Sequence, residues 1–509
     1  MTSRILGLVR DQVLAYLFGT GAAMDAYNVA FRIPNLLRDL FAEGAMSAAF
    51  VPTFTRYVGT LGKPAAWRLG NLVINALLVV TGTVVVLGIV FADPLVHLLA
   101  DDEYTSDPAK LLLTVQLARI MMPTLAFIAL AAALMGMLNS LRHFFVPALS
   151  PAMFNVVNIL CAFALVPLMP SLGLHPIVGI AIGTLLGGVA QLALQWPTLR
   201  GEGFRYEPVL DWKDEGLRRV LVLMGPGTIG LAATQVNLMV NTILATGEAE
   251  GSVSALNYAF RLMYLPIGLF GVSIATAVLP AVSRHVTADD ETSARGTIAD
   301  GLSLMLMLNL PATVGLMVLA TPIVRLIFER GEFGPDATAA TASALQFYAL
   351  GLIGYSIVRI ASPTFYALGQ NRIPVIVSIL TMGINAGLNA VLVRQMGADG
   401  LALGTSIAAL FNAVTLFVLL RRRLGGMHEA RLAGSLVRIA IASAAMGTAA
   451  YFADRLLASM LPGAAVAIQI VHVGATIGIA LVVLAAASWL LRIDEFSRGM
   501  ALVTRRLRR

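Results

Sequence analysis

Arginine and aspartate side chains stand among apolar residues in the first two hydrophobic segments of the chain. An ionised side chain in the middle of a membrane costs about 2.5–3.5 kcal/mol on insertion scales, so such groups usually face a watery cavity or a partner. Guanidinium groups keep their charge and bind phosphate through two parallel hydrogen bonds. These residue types therefore predict a hydrated, cationic cavity that handles an anion such as a phosphate or a diphosphate. The charged residues concerned are Arg4, Arg10, Asp11, Asp25, Arg32, Arg38, Asp39 and Glu43.

Polar residues of the second segment share one face of a predicted helix. Asn28, Arg32, Asn35 and Asp39 recur at intervals of three or four residues, which is the spacing of one helical face. Pro34 interrupts the same segment and can bend it, which frees backbone groups beside the polar face. The spacing predicts that this helix lines the cavity.

The first segment presents charge over a broader arc. Arg4 and Asp11 lie two turns apart on one face, whereas Arg10 lies off that face. Such an arc is typical of a helix beside water. The alternative is that the arginines extend to the headgroups, so that only their aliphatic stems lie in the bilayer.

The composition of the whole chain indicates an integral membrane protein. Hydrophobic residues make up 58% of the 509 positions and charged residues 12%, with a mean hydropathy of +0.83. A soluble domain has about 25% charged residues and could not cover such an excess of apolar side chains. We therefore expect an all-α polytopic membrane protein. The net charge of +7 is assigned to cytoplasmic loops and not to binding of nucleic acid.

Apolar windows of about 20 residues, the length that spans a bilayer, divide the chain into fourteen predicted transmembrane helices. The loops between them alternate between basic ones, such as 421–423, and acidic ones, such as "DDEYTSD" (101–107). Because basic loops remain in the cytoplasm, both termini are predicted to be cytoplasmic. The spans lie near residues 1–18, 26–55, 69–91, 111–137, 145–168, 175–196, 217–245, 252–281, 300–328, 338–361, 373–394, 400–420, 434–453 and 466–491.

The second span recurs in the second half of the chain. "AYNVAFRIPNLLRDLF" (26–41) aligns without gaps on "ALNYAFRLMYLPIGLF" (255–270), with eight identical positions. Six spans separate the copies, so both run in the same direction, and such repeats are typical of secondary transporters with a substrate site between them. We therefore expect Arg261 of the second copy to share one cavity with the arginines of the first. The predicted domains are an N-lobe of six spans (1–196), a cytoplasmic linker (197–216), a C-lobe of six spans (217–420), two additional spans (434–491) and a basic cytoplasmic tail (492–509).

Other chemistries receive little support from the sequence. The chain has no Walker A pattern, nucleophile elbow or HExxH motif, and its six histidines are scattered. We therefore expect transport without a bound cofactor, driven by an ion gradient such as Na⁺, by the membrane potential or by the substrate's own gradient. Asn241, Asn385, Asn389 and Thr405 could together hold a monovalent cation. They could equally form hydrogen bonds between helices, which membrane proteins use often.

Three stretches resemble one known family along the length of the chain. They are "SRILGLVRDQVLAYLFGTGAAMDAYNVAFRIPNLLRDLFAEGAMSAAFVPTF" (3–54), "FRLMYLPIGLFGVSIATAVLP" (260–280) and "IFERGEF" (327–333). They are similar to the MurJ/MviN family, the peptidoglycan lipid II flippases, which belongs to a superfamily with multidrug antiporters and polysaccharide flippases. The resemblance implies alternating access of two lobes, which moves lipid II from the inner to the outer leaflet. It also implies that the last two spans form a groove for the polyprenyl tail.

The resemblance also implies roles for single residues. The family's essential cavity arginines correspond to Arg4, Arg10, Arg38 and Arg261, and Asp25 matches a functionally important position. The family's sodium site falls on the asparagine set, where some members have carboxylates. The predicted substrate-binding residues are Arg4, Arg10, Asp25, Arg32, Asn35, Arg38 and Arg261; the gating or ion-pair residues are Asp11, Asp39 and Glu43; the sodium-site residues are Asn241, Asn385, Asn389 and Thr405.

The sequence therefore predicts a transporter, not an enzyme, in the bacterial cytoplasmic (inner) membrane. It would flip lipid II for peptidoglycan synthesis, and thereby serve cell wall biogenesis and cell shape, with proteins of cell-wall synthesis as further partners. One alternative is a flippase for another polyprenyl-pyrophosphate-linked glycan. A drug exporter is disfavoured by the arginines. A polytopic cell-wall glycosyltransferase is the alternative from another class, and it is disfavoured by the short outer loops.

Overall fold

A computed structural model describes residues 2–39, 45–288, 290–460, 463 and 465–496. Within these ranges the protein is built of helices, and the predicted all-α polytopic class is confirmed. Contacts between helices divide the chain into two compact units. Unit 1 comprises residues 1–254 with 330–333, and unit 2 comprises 255–329 with 334–509.

Unit 1 begins with two helices joined by a tight turn and ends at the start of a helix that continues into unit 2. Two short 3₁₀ turns, Val166–Leu168 and Pro170–Leu172, connect its ninth and tenth helices. The helices are α1 (Thr2–Phe18), α2 (Ala22–Arg38), α3 (Ala45–Thr60), α4 (Lys63–Val90), α5 (Ala92–Leu99), α6 (Asp102–Thr105), α7 (Pro108–Met121), α8 (Thr124–Ser140), α9 (Phe145–Ala164), α10 (Val178–Gly201), α11 (Glu215–Thr246) and the first turn of α12 (Ser252–Pro266).

Unit 2 contains the rest of α12 and eight further helices. A π-helical turn, Ile267–Gly271, joins α12 to the next helix. The further helices are α13 (Val272–Thr287), α14 (Glu291–Val318), α15 (Ala320–Phe328), α16 (Pro335–Ala367), α17 (Arg372–Met396), α18 (Ala398–Leu424), α19 (Glu429–Met460) and α20 (Val466–Leu490).

The predicted spans coincide with helices or with pairs of consecutive helices. Among the described residues, ten helical segments are long and apolar enough to cross a membrane: α4, α7 with α8, α9, α10, α14 and each of α16 to α20. The other four predicted spans correspond to α1, α2 with α3, α11, and α12 with α13. The total of fourteen stays a prediction.

The loops of unit 1 gather at two ends according to their charge. At the basic end, Lys63 and His143 both lie 2.8 Å from carboxylate oxygens of Glu202, so three loops predicted to be cytoplasmic meet there. These hydrogen bonds, that of Lys63 above all, hold the pKa of the Glu202 carboxyl below its ordinary value. The acidic loops meet elsewhere: the backbone N–H of Asp101 donates to Thr246 Oγ1 at 2.8 Å.

Two asparagines of α4 hold the segment that follows α10. Asn71 donates to the carbonyl of Arg205 at 2.9 Å and accepts from the N–H of Glu207 at 3.1 Å. Asn75 donates to the carbonyls of Glu207 and Val209 at 2.8 and 2.9 Å. A carboxamide can pair with a peptide unit in this way because it offers the same donor and acceptor. Much of the predicted linker is therefore fixed along α4.

Glycines allow α16 and α18 to pack closely in unit 2. A Cβ atom at Gly351 would lie 2.8 Å from Ser406 Oγ, and one at Gly354 would lie 2.6 Å from the backbone of Ala409. Small residues at such contacts let helix backbones approach in a membrane, where packing replaces the hydrophobic effect as the force between helices.

Replacing Gly354 by alanine should therefore destabilise unit 2. The added methyl meets backbone and not a flexible side chain, so we expect a cost of about 1–3 kcal/mol, measured as a lower midpoint of thermal unfolding in detergent. Gly383→Ala in α17 is the matched control, because a Cβ there has open space. Equal unfolding midpoints for the two variants would contradict the close packing of α16 on α18.

Candidate functional site

Arg10 and Asp11 form an ion pair inside the first helix of unit 1. Arg10 is 7% exposed and Asp11 is 3% exposed. Arg10 Nη2 and Nε lie 3.0 and 3.3 Å from the same oxygen, Asp11 Oδ1. The guanidinium carbon also lies 5.8 Å from the ring centroid of Phe154 on α9, within the range of a cation–π contact. The structure therefore matches this buried charge with an adjacent carboxylate and an aromatic ring.

A second arginine–aspartate pair lies at the end of α2. Arg38 Nη2 and Nε lie 2.7 and 3.0 Å from Asp39 Oδ1, and both side chains are about three-quarters buried. Asp39 Oδ2 accepts a further hydrogen bond from Gln235 of α11 at 3.1 Å. Two arginines predicted to bind substrate are thus each held by the aspartate that follows them in sequence.

Asp25 binds the beginning of α12. Its carboxylate, 2% exposed, accepts hydrogen bonds from the N–H of Gly251 at 2.7 Å, the N–H of Ser254 at 2.9 Å and the hydroxyl of Ser254 at 2.6 Å. Asn28, one turn along α2, donates to Ser254 Oγ at 3.0 Å. Helix N-termini favour anions because their first N–H groups lack partners within the helix and carry partial positive charge. Asp25 supplies that anion to α12.

The arrangement is reciprocal. Glu250, just before α12, accepts the N–H of Ala22 at 2.8 Å and so caps the start of α2. The repeat alignment makes Asp25 equivalent to Ser254, and these two equivalent residues contact each other. We call the set Asp25, Asn28, Glu250, Gly251 and Ser254 the Asp25 junction.

Glycine is required in the turns that bring the junction together. Gly251 has φ +90°, and a Cβ there would lie 2.2 Å from the carbonyl oxygen of Thr20. Gly19 has φ +56°, and a Cβ there would lie 2.4 Å from the carbonyl oxygen of Glu332. The N–H of Glu332 donates to the carbonyl of Tyr16 at 3.0 Å. The family-like stretch "IFERGEF" therefore places its tip against the turn between α1 and α2.

The remaining predicted substrate-binding residues are spread over both units. Arg4 is exposed near the start of α1, and Arg32 and Asn35 are partly buried on α2. Arg261 is exposed on α12 within unit 2. Glu43 lies outside the described residues.

Three members of the predicted sodium site lie together in unit 2. Asn385 donates to Thr405 Oγ1 at 3.4 Å, and Asn389 donates to Asn385 Oδ1 at 3.3 Å. Asn389 Oδ1 lies directly against Gly404. Two of the oxygens of this set, Asn385 Oδ1 and Thr405 Oγ1, accept amide hydrogens, and Asn389 Oδ1 is buried. Binding of Na⁺ here stays a prediction. The Asn385–Thr405 bond joins α17 to α18, whereas the Asn389–Asn385 bond lies within α17; Asn241 belongs to unit 1.

An apolar cavity of about 440 Å³ opens in unit 2 between α14, α15, α19 and α20. Met307, Pro311, Gly315, Met446 and Leu484 line it. A cavity without polar lining is suited to hydrocarbon and not to a sugar or a peptide.

A family model described as lipid II flippase MurJ matches residues 14–471. The chain belongs to the lipid II flippase MurJ family. A probable lipid II flippase MurJ of Rhizobium meliloti (strain 1021) is 35% identical over 91% of this chain and 86% of its own length. Another, of Vibrio cholerae serotype O1, is 39% identical over 82% of this chain and 80% of its own length.

Solved structures agree with the MurJ assignment. A structure described as lipid II flippase MurJ in an inward closed conformation has a TM-score of 0.79 and 28% identity, and covers 97% of both chains. A multidrug resistance MATE family transporter of the MOP superfamily, in an inward-facing conformation, has a TM-score of 0.71 with 18% identity, over 83% of this chain and 94% of that one. The second match shows a shared fold alone.

Sequence reasoning missed the partners of Asp25. Gly251 and Ser254 act largely through backbone N–H groups, which the residue letters do not reveal. The repeat offered one signal, because the alignment that pairs residue 26 with residue 255 also pairs Asp25 with Ser254.

A double-mutant cycle tests the Asp25 junction. Asp25→Asn replaces an acceptor oxygen by a donor facing other donors, so we expect a loss of about 1–3 kcal/mol in unfolding free energy. Combined with Ser254→Ala, the two losses should be non-additive by about 0.5–3 kcal/mol, because the residues share hydrogen bonds.

The control for this cycle is Asp25→Asn with Ser443→Ala. Ser443 is an equally buried serine that bonds only within its own helix, to the carbonyl of Ile439. Additivity in the Asp25–Ser254 cycle, equal to that of the control, would show that Asp25 and Ser254 are not energetically coupled and would contradict the junction.

Proposed function

We propose that this protein flips lipid II from the inner to the outer leaflet of the bacterial cytoplasmic membrane, as a transporter and not as an enzyme. The observation that carries the proposal is the near full-length similarity to proteins described as lipid II flippases. The paired arginines inside the apolar helices of unit 1 supply groups that bind a diphosphate. The basic end of unit 1 would face the cytoplasm, with both termini on that side.

The two arginine–aspartate pairs suggest how substrate is bound and released. In the structure, Asp11 and Asp39 neutralise Arg10 and Arg38. The diphosphate of lipid II would take the place of these carboxylates. When the lipid leaves, the aspartates would form ion pairs with the arginines again. Such an exchange keeps each guanidinium matched by an anion, and the freed aspartate would in turn be matched by water or by another donor, such as Gln235 for Asp39. We also propose that Arg261, in unit 2, binds the substrate.

The Asp25 junction would act as a closure on the periplasmic side. Its bonds join the starts of α2 and α12, the two helices that the repeat relates. Opening that side would break several hydrogen bonds to a carboxylate at once. The free energy lost with these bonds must then be offset by other contacts in the open state. The two additional spans would hold the polyprenyl tail, and the apolar cavity beside α19 and α20 supports that role.

Coupling to Na⁺ at the asparagine set stays a prediction, and no transport step is assigned to it. Coupling to the membrane potential stays a prediction. A flippase for another polyprenyl-linked glycan would use the same diphosphate contacts, so the choice of lipid II depends on the family.

Complementation of a strain depleted of its own flippase tests the arginines. Arg10→Ala, Arg38→Ala and Arg261→Ala should each abolish growth while the protein remains in the membrane, because a bidentate contact to the diphosphate is lost. Arg119→Ala is the control, since Arg119 is engaged with the carbonyl of Ile89 and takes no part in the proposed site. Full growth with all three variants would refute the assignment.

The tail cavity is tested by filling it. A side chain at Gly315 has open space, with Met446 3.9 Å away. Gly315→Leu should weaken binding of lipid II with its full undecaprenyl tail, because the added side chain takes the place of tail atoms that would pack against the cavity lining. Binding of an analogue with a farnesyl tail should not change, and neither should any binding by Gly383→Leu. An equal effect on both tails would contradict this role.

A further inference from the structure

Arg119, Arg325 and Arg359 stand in apolar helices away from the first two segments, and the first two are matched by the protein. Arg119 Nε donates to the carbonyl of Ile89 at 3.3 Å. Arg325 Nε lies 3.2 Å from Glu329 Oε2. The third, Arg359, lies two turns before the end of α16 and is only partly buried.

The partner of Arg359 is an aromatic hydroxyl. Its Nη2 donates to the Tyr264 hydroxyl, and its guanidinium carbon lies 5.8 Å from the centroid of that ring. Within the part of the chain that the structure describes, no carboxylate oxygen lies within 4.0 Å of its side-chain nitrogens. A phenol shields a cation but does not neutralise it, so the charge remains available to an anion.

Neighbouring rings fix Tyr264 in place. Phe260 stacks on Tyr264 with centroids 5.8 Å apart and meets Tyr348 and Tyr355 edge-on at 5.5 and 6.4 Å. A guanidinium held by a packed ring loses less conformational entropy on binding than one on a free side chain. The packing of these rings therefore holds the Arg359 guanidinium in one position before a ligand binds.

Tyr264 also connects this position to the predicted site. It lies three residues after Arg261 on α12, and residues three apart are neighbours on a helix surface. Arg359 therefore reaches from α16 to the face of α12 that carries Arg261. Both residues belong to unit 2.

We propose that Arg359, positioned by Tyr264, is a further residue that binds an anionic group of the transported lipid. The ligand chemistry is a phosphate or carboxylate oxygen able to accept from a planar guanidinium. In lipid II the diphosphate and the peptide carboxylates both qualify. This proposal rests on the proposed function.

The test measures binding of two probes, lipid II and undecaprenyl pyrophosphate, to the full chain in nanodiscs. Arg359→Ala should weaken binding about tenfold or more, the loss of a charge-assisted hydrogen bond. Arg359→Lys should lose less, and Tyr264→Phe, which removes the hydroxyl and keeps the ring, should also weaken binding. Arg119→Ala is the control and should bind as the wild type does.

Each outcome decides the proposal. Weaker binding of both probes assigns Arg359 to the diphosphate, and weaker binding of lipid II alone assigns it to a peptide carboxylate. Unchanged binding of both probes by Arg359→Ala, beside a wild type that binds, overturns this inference and leaves the proposed function intact. A wild type that binds neither probe contradicts both. If Arg359→Ala does not fold, Arg359→Lys and Tyr264→Phe decide by the same criteria.

Discussion

A charge inside a membrane must be matched by an opposite charge, by hydrogen bonds or by water. This constraint accounts for the two arginine–aspartate pairs and for the Asp25 junction. Arg10 and Arg38 are matched by the next residue along their own helices. Asp25 is matched by the N–H groups at the start of another helix. At Arg10 and Arg38 the carboxylate can be replaced by a ligand of the same charge. In the proposed function, these two arginines therefore serve both stability in the bilayer and binding of an anionic lipid.

The internal repeat accounts for the reciprocal contacts of the Asp25 junction. The repeat alignment places the starts of α2 and α12 at equivalent positions of the two copies. Each start exposes unpaired N–H groups, and each copy supplies the other with a carboxylate, Asp25 in one direction and Glu250 in the other. The copies are not identical at this point, since the position of Asp25 carries serine in the second copy. That difference places an acceptor opposite a donor, where two aspartates would repel.

The spans could be predicted from the sequence because about 20 apolar residues in a row leave few alternatives. Breaks within spans were harder: the window at 111–137 is continuous in hydropathy, yet α7 ends at Met121 and α8 begins at Thr124, with Pro123 between them. The arginines and Asp25 could be named because charge in an apolar segment is conspicuous. Their partners could not be named when the partner is backbone, as at Gly251, or a ring 95 residues away, as for Arg359 and Tyr264. For the asparagine set the residue types left two interpretations open, and one hydrogen bond, Asn385 to Thr405, joins α17 to α18.

The central claim is that the diphosphate and the aspartates compete for the same guanidinium groups. The most direct measurement is the dissociation constant for lipid II of Asp11→Asn and Asp39→Asn, compared with the wild type in the same nanodiscs. Removing the competing charge while keeping the side chain's size should tighten binding, by about tenfold for a difference of about 1.4 kcal/mol. Weaker binding by both variants would mean that the aspartates only hold the arginines in place, and would contradict the exchange.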